Sequence, residues 1–334
     1  MQQLAIVILN YNGRAHLQTF LPSVVRNLSG HTLVVVDNGS TDDTVHFLNA
    51  NFPEIEVIKL PKNLGFAQGY NDGLAFLEGK YEHYLLLNSD VEVTEHYLAP
   101  LLAQLQDEKI GAVQPKILSY TNKKQFEHAG ASGGFLDRRG FPFCRGRIFD
   151  ACEEDHGQYD NAMPVFWASG ACIMVRASLF HRLKGFDGHF FAHMEEIDLC
   201  WRMQHLGFQI WVEPKSTVFH LGGGTLSYDA PRKVFLNFRN NLFMMAKNES
   251  GFWLMKIFIR MVWDGLAALQ FLVSGKPRLL FQVLKAHLCF YGALPRLLRQ
   301  REKPVHTELR GRYRGHIVID YFLNKKNKYS DLKL

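Results

Sequence analysis

Cysteine is scarce in this 334-residue chain: Cys144, Cys152, Cys172, Cys200 and Cys289 are odd in number, and no two form a CxxC pair. That speaks against a disulfide framework or a cysteine zinc site and favours free thiols in a reducing compartment. No GxGxxG follows the first apolar run, which argues against a nicotinamide or flavin dinucleotide. No GK[ST] follows the glycine-rich NLGFAQGYNDG at 63–73, which removes a P-loop. Uncharged apolar runs stop short of the roughly 18–20 residues that a membrane span requires. The opening MQQLAIVILNYNG has no basic region ahead of its apolar residues, so it is expected to be mature structure in a chain that stays in the cytosol. Internal repeats, low-complexity tracts and nucleic-acid recognition motifs are missing too.

What is present describes a folded protein with room for a sizeable core: 47% of residues are hydrophobic, 13% aromatic and 21% charged. The net charge of +6 suits a phosphate-bearing ligand or an anionic membrane surface. Through the first 115 residues, short Val-, Ile- and Leu-rich runs alternate with helical spacings. LAIVILN (4–10), TLVVVDN (32–38), IEVIKL (55–60) and HYLLLNSD (83–90) read as buried strands. HLQTFLPSVVRNL, TDDTVHFLNANF and FAQGYNDGLAFLEG read as the intervening helices. This alternation predicts an α/β fold with a mostly parallel sheet flanked by helices. Residues 116–165 read as loops and edge strands.

The polar residues Asn10, Asp37 and Asn88-Ser89-Asp90 fall where strands end, the side on which open α/β sheets bind ligands. In VVVDNGSTDDT (34–44), helix capping from Ser40 or Thr41 accounts for the later residues but not for Asp37. Asp90 has oxygens suited to Mg²⁺ or Mn²⁺, although an Asp at a strand end also serves as a turn residue. His220 ends another short strand before a glycine run, and imidazole binds Mn²⁺ as well. The stretch FFAHMEEIDLCWRMQHLGF (190–208) gathers Glu195, Glu196 and Asp198 among apolar neighbours. On a helix starting near 195, Asp198 or Glu195 can pair with Arg202, which leaves Glu196 over.

After about residue 228 the character changes. In FWLMKIFIRMVWDGLAALQFLV (252–273), Lys256, Arg260 and Asp264 recur every fourth residue and form one polar stripe on a helix. Residues 278–300 repeat the theme. A helix lying in the membrane interface, its basic residues near lipid headgroups, fits this pattern; a helical pair packed on the rest of the chain or on another subunit also fits.

Taken together, ILNYN, VVVDNGSTD, NLGFAQGYN, LLLNSDV, WASGACIMVR, GFDGHFFAHMEEIDLCWR and VFHLGGGTLS resemble the inverting glycosyltransferases of family 2, which have the GT-A fold. The likeness is to the bacterial rhamnosyltransferase-like branch and spans residue 4 to about 240. It implies a catalytic domain at 1–228, and the amphipathic pattern described above leaves 229–334 as a C-terminal helical region expected to associate with a membrane. The likeness implies donor contacts from Asn10, Asp37, Asn63, Asn71, Asn88 and Asp90, and Mg²⁺ or Mn²⁺ held by Asp90 and His220. Glu196 takes the place of the catalytic base, with Trp167, Gly170, Glu195, Asp198 and Arg202 on the acceptor side or in support. Two positions depart from the family pattern: Asn88 stands where the DxD motif has its first acid, and Glu196 where the base is normally Asp. The implied reaction moves a sugar from a nucleotide-sugar donor to a saccharide or lipid-linked acceptor at the cytoplasmic face of the membrane, with no nucleic acid involved. A catalytically silent membrane-bound scaffold and a sugar nucleotidyltransferase are the alternatives; ILNYNGRAHL lacks the basic glycine-rich loop of the latter.

Overall fold

The computed structural model describes residues 2–222 and 230–333. The boundary expected at 228/229, and Gly223 and Gly224 of the glycine run, lie outside the described residues. In chain order the first elements are β1 (Gln2–Asn10), α1 (Arg14–Arg26), β2 (Thr32–Asp37), α2 (Thr44–Asn51), β3 (Glu56–Lys59), α3 (Gly65–Ala75), β4 (Tyr81–Asn88), β5 (Val91–Val93), α4 (Leu98–Gln104) and β6 (Ile110–Ser119). Four short strands follow: β7 (Gly134–Asp137), β8 (Pro142–Cys144), β9 (Arg147–Ile148) and β10 (Ala151–Cys152). Next come β11 (Met163–Val165), β12 (Cys172–Arg176), α5 (Ala177–Arg182), α6 (Glu195–His205) and β13 (Gln209–His220). The chain finishes with α7 (Pro231–Asn248), α8 (Trp253–Val273), α9 (Pro277–Arg299), β14 (Arg312–Tyr313) and α10 (Ile317–Phe322).

A nine-stranded sheet runs β11-β13-β6-β12-β4-β1-β2-β3, with β5 paired to β13. Strands β3, β2, β1 and β4 are mutually parallel, and β12 inserts antiparallel between β4 and β6. Alternation along β1 explains its unbroken apolar sequence: Ala5 and Val7 join the core containing Tyr70 and Leu74 of α3, while Leu4, Ile6 and Ile8 join the one containing Leu17 and Leu21 of α1. Residues 134–152 form a second sheet, β10-β9-β8-β7-β14, rather than loops and edge strands alone. Its last strand comes from the C-terminal region, where Arg312 lies opposite Leu136. The larger core likewise continues into Leu242, Phe243, Leu297 and Ile317.

Two expectations change. Helix α2 begins at Thr44, not at Ser40 or Thr41. Asn12 draws those residues away: its amide N–H donates to Ser40 Oγ (2.9 Å), and its side-chain oxygen accepts from the Thr41 N–H (2.7 Å). The polar stripe of α8 does not face outward either. Arg260 and Asp264 are buried and paired at 2.9 Å, and the Arg260 guanidinium donates to the Gly140 carbonyl (3.0 Å) and lies 3.8 Å from the Phe141 ring centre. Half-buried Lys256 pairs with Glu249 at 2.6 Å. The face of α8 that meets solvent is apolar.

Helices α6 and α7 are joined by a buried ion network. Lys247 Nζ lies 3.0 Å from both Asp187 Oδ2 and Asp198 Oδ2, and the Asn248 amide donates to Asp198 Oδ1 (2.7 Å). Removing one member leaves the others uncompensated in a dry site. Lys247→Ala is therefore expected to cost about 3–5 kcal/mol in chemical denaturation. Lys123→Ala, which removes a partly exposed pair with Glu92, is expected to cost at most about 1 kcal/mol.

Candidate functional site

Strand register sets the site. Asn10 lies opposite Asp37, and Leu9 opposite Asn88, so the ends of β1, β2 and β4 share one rim. Because β12 runs the other way, its beginning reaches the same rim, with Cys172 opposite Leu87. Strand β13 is parallel to β6 and brings His220 there as well, opposite Val91 of β5.

On one side of the rim, Asn10 and Asp37 are buried, and Asn10 Oδ1 and Asp37 Oδ1 have no hydrogen-bond partner among the described residues. Buried polar atoms left open in this way mark a place for a ligand or water. Asn38 ties the adjoining turn down by donating to Asn63 Oδ1 (3.2 Å) and the Gly65 carbonyl (3.0 Å) while accepting from the Leu64 N–H (3.1 Å). Exposed Asn63 stays on the rim. Asn71 does not: its amide clasps the Phe186 main chain, donating at 2.7 Å and accepting at 2.9 Å, and so holds α3 to the turn after α5.

In the middle, Asp90 Oδ1 lies 3.2 Å from His220 Nε2, with the Asn88 amide at 3.5 Å. On the far side of the imidazole, Glu127 Oε2 is 3.4 Å from Nδ1. Burial alone would lower the His220 pKa, but the two carboxylates raise it to about 10, and His220 in turn holds Asp90 below its ordinary range. An oxygen and a nitrogen 3.2 Å apart suit neighbouring positions on one cation with bonds of about 2.1 Å. Among the described residues no three such ligands converge, so Mg²⁺ or Mn²⁺ here would take its remaining ligands from substrate phosphates and water. The residues present fit such an ion.

Beyond Asp90 lies the start of α6. The Asn88 N–H donates to the Ala171 carbonyl (3.0 Å), and a side chain on Gly170 would lie 3.9 Å from Glu196 Cβ, so the 169–171 turn links the two halves. Phe191, His193 and Met194 have positive φ of 67°, 71° and 72°, a concentration of backbone strain just ahead of Glu195. Fully buried Asn240 of α7 holds this turn by donating to the carbonyls of Phe190, Ala192 and His193 at 2.8–2.9 Å. The Phe191 carbonyl accepts from the Phe66 N–H (2.7 Å), and its ring fills the space that a side chain on Gly65 (φ 80°) would need.

The three carboxylates of the helix start have different fates. Asp198 is fully buried, and although burial alone would raise it, Lys247 and Arg202 (2.8 Å) keep it ionised below the ordinary range. Glu195 is buried and raised well above the ordinary range, first by desolvation and then by the charge of Glu196. Half-buried Glu196 is pushed up by desolvation to about 7. Glu195 Oε2 and Glu196 Oε2 have no hydrogen-bond partner among the described residues. A carboxyl poised there can take a proton from a hydroxyl.

Trp167 moves out of the site: it is buried, its indole N–H donates to the Phe135 carbonyl (3.0 Å), and it packs on Gly134. Sequence reasoning missed Asn38, which stands inside the VVVDNGSTD motif, and Glu127, Asn240 and Lys247, which stand in none. Asn38, next to Asp37 at a strand end, had the best positional signal.

The architecture is that of GT-A glycosyltransferases. A mannosyltransferase of Pyrobaculum calidifontis in complex with GDP-Man and Mn²⁺ superposes with a TM-score of 0.54 at 14% identity, covering 86% of this chain and 87% of that one. S. aureus TarS 1-349 in complex with UDP-GlcNAc gives 0.56 at 13% identity, over 90% and 84%. Residues 5–183 match Glycosyl transferase family 2, and the chain belongs to that family. The N-acetylglucosaminyl-diphospho-decaprenol L-rhamnosyltransferase of Mycobacterium tuberculosis is 26% identical over 266 residues, 75% of this chain and 86% of that protein.

Transfer by this glycosyltransferase is expected to depend on ionised Glu196. With the carboxyl at about 7, kcat/KM should rise as pH increases through that value and level off above it. A pH–rate profile read between pH 5 and 9, roughly the range that brackets this carboxyl, checks it; a rate already flat from about pH 5 would contradict it.

Proposed function

We propose that the chain moves a hexosyl or deoxyhexosyl group from a nucleotide-sugar donor to a hydroxyl of a saccharide or lipid-linked acceptor, by single displacement with inversion. The reading rests on an unpaired, half-buried carboxyl at about 7, Glu196, linked through Gly170 and Ala171 to Asn88-Ser89-Asp90. Asn10, Asp37 and Asn63 line the nucleoside side, with Asn38 holding their turns together. Glu196 accepts the acceptor's proton as that oxygen bonds to the anomeric carbon. The bond from that carbon to the diphosphate breaks, and its electron pair leaves with the nucleotide. A divalent cation, Mg²⁺ or Mn²⁺, held by Asp90 and His220 when bound, offsets the charge of the leaving diphosphate. Gly170 keeps the space beside Glu196 open, and Arg202 and Asp198 hold the helix that carries it.

The acceptor class follows from the mycobacterial relative, whose name specifies a polyprenyl-diphosphate sugar, and from the outer surface of the C-terminal helices. Phe252, Leu254 and Phe258 at the start of α8, and Phe281, Leu288 and Tyr291 of α9, are exposed. Exposed Lys276, Arg278, Lys285 and Arg299 accompany them. Among the described residues no helix is long and apolar enough to cross a membrane. This combination suits peripheral seating on the anionic inner face of the cell membrane, with apolar side chains in the interface and cations at the headgroups. A second copy of the chain would set cations against cations.

Glu196→Gln is expected to lower kcat at least about 100-fold, the low end of general-base contributions, while donor binding measured by calorimetry stays within about threefold. EDTA is expected to remove transfer, and Mn²⁺ or Mg²⁺ to restore it; a Glu196→Gln variant with near-normal kcat refutes the assignment. For the membrane seat, Leu254→Glu with Phe258→Glu should abolish co-sedimentation with anionic vesicles and leave transfer to a water-soluble acceptor intact. Unchanged co-sedimentation refutes the seat.

A further inference from the structure

Glu127 lies in no motif, yet it is buried beside the candidate cation site. Resting on the reading that Asp90 and His220 hold a divalent cation, we infer that Glu127 is a positioning residue: it fixes which ring nitrogen of His220 faces that cation.

The main chain around His220 is pinned on both sides. Its carbonyl accepts from the Tyr120 N–H (2.9 Å), and the next N–H, of Leu221, donates to the Asp90 carbonyl (3.0 Å). The imidazole, with 7% of its side chain exposed, therefore sits in a slot with a carboxylate at each end. Nε2 faces Asp90 at 3.2 Å, and Nδ1 faces Glu127 at 3.4 Å. A neutral imidazole has one N–H and one lone pair. The Glu127 carboxylate, 3.4 Å from Nδ1 and within ion-pair reach though without hydrogen-bond geometry, favours a proton on that nitrogen, so the proton a cation would displace is the one on Nε2, beside Asp90. The same contact makes the ring a stronger ligand.

Glu127 is itself held in place. Its N–H donates to the Ile117 carbonyl (3.1 Å), and its Oε2 accepts from the Ala129 N–H. Its other oxygen occupies the space beside Gly222 (φ 64°), where a side chain would come within 2.7 Å. The first glycine after Leu221 thus leaves room for the carboxylate behind the histidine. This gives part of the glycine run a role distinct from approach to a ligand.

The test uses Mn²⁺ alone on the full chain. Affinity is read from the free-ion EPR signal, and ligation from the nitrogen coupling in pulsed EPR. In the unaltered protein a single imidazole nitrogen should couple to bound Mn²⁺, and His220→Ala should remove that coupling. Glu127→Gln should weaken Mn²⁺ binding about 10–100-fold, the usual consequence of losing a partner behind a metal-bound histidine. Glu127→Asp, which keeps the charge but withdraws it by one methylene, should fall between the two.

Coupling present, with Glu127→Gln binding Mn²⁺ within twofold of the unaltered protein, overturns the inference and leaves His220 as a ligand. Absence of nitrogen coupling in the unaltered protein overturns the His220 reading and the inference with it. Should Glu127→Gln fail to fold, Glu127→Asp decides: an affinity loss of about threefold or more supports the role, and unchanged affinity overturns it.

Discussion

Charge is distributed unevenly among the carboxylates around the start of α6, and the site depends on that imbalance. Asp187 and Asp198 share Lys247, with Arg202 added on Asp198 and Arg296 on Asp187 at 3.4 Å. Among the described residues no ion pair reaches Glu195 or Glu196. The first pair is therefore ionised and rigid, and the second is desolvated and raised. The same four-residue stretch thereby anchors a helix and supplies a carboxyl that changes protonation near neutrality. Without Lys247 and Arg202, Asp198 would be a third buried carboxyl with no cation beside it.

This imbalance makes the C-terminal helices part of the site. Lys247 and Asn240 come from α7, and Arg296 from α9. Asn240 ties down a turn in which three non-glycine residues hold positive φ, a strain that persists only where the surroundings over-determine it. Arg260 of α8 reaches Gly140 in the second sheet, and β14 extends that sheet. The apolar outer face of α8 and α9 is thus carried by helices keyed to the preceding part of the chain through buried charges. Seating that face would fix the orientation of the cleft above a membrane.

Much of the architecture was legible because β1, β2 and β4 are largely buried on both faces and read as mainly apolar runs ending in polar residues, with β3 a shorter edge strand beside them. Asn10, Asp37, Asn88 and Asp90 fell at those ends, and parallel register gathers them whatever the loops do. The Asp198–Arg202 pair was legible from helical spacing. Partners distant in sequence were not: nothing local marks Lys247 or Glu127, whose roles exist only once α7 and the 126–129 segment pack beside α6 and β13. Trp167 and Asn71 sat in suggestive motifs, yet main-chain carbonyls and amides claimed their polar groups. The stripe on α8 shows the limit most clearly. Periodicity revealed that Lys256, Arg260 and Asp264 share a face but not which side of the helix meets protein, and a carbonyl, an aromatic ring and an acid were waiting inside.

The central claim is that the carboxyl of Glu196 and the pair Asp90–His220 address one reacting carbon from opposite sides. A crystal structure with Mn²⁺ and a non-hydrolysable nucleotide sugar measures this directly. The account predicts the metal on Asp90 and His220, bridged to the diphosphate, and the Glu196 carboxylate on the face of the anomeric carbon opposite the leaving oxygen. A Glu196 side chain turned out of the cleft, or a metal bound without Asp90, would contradict it.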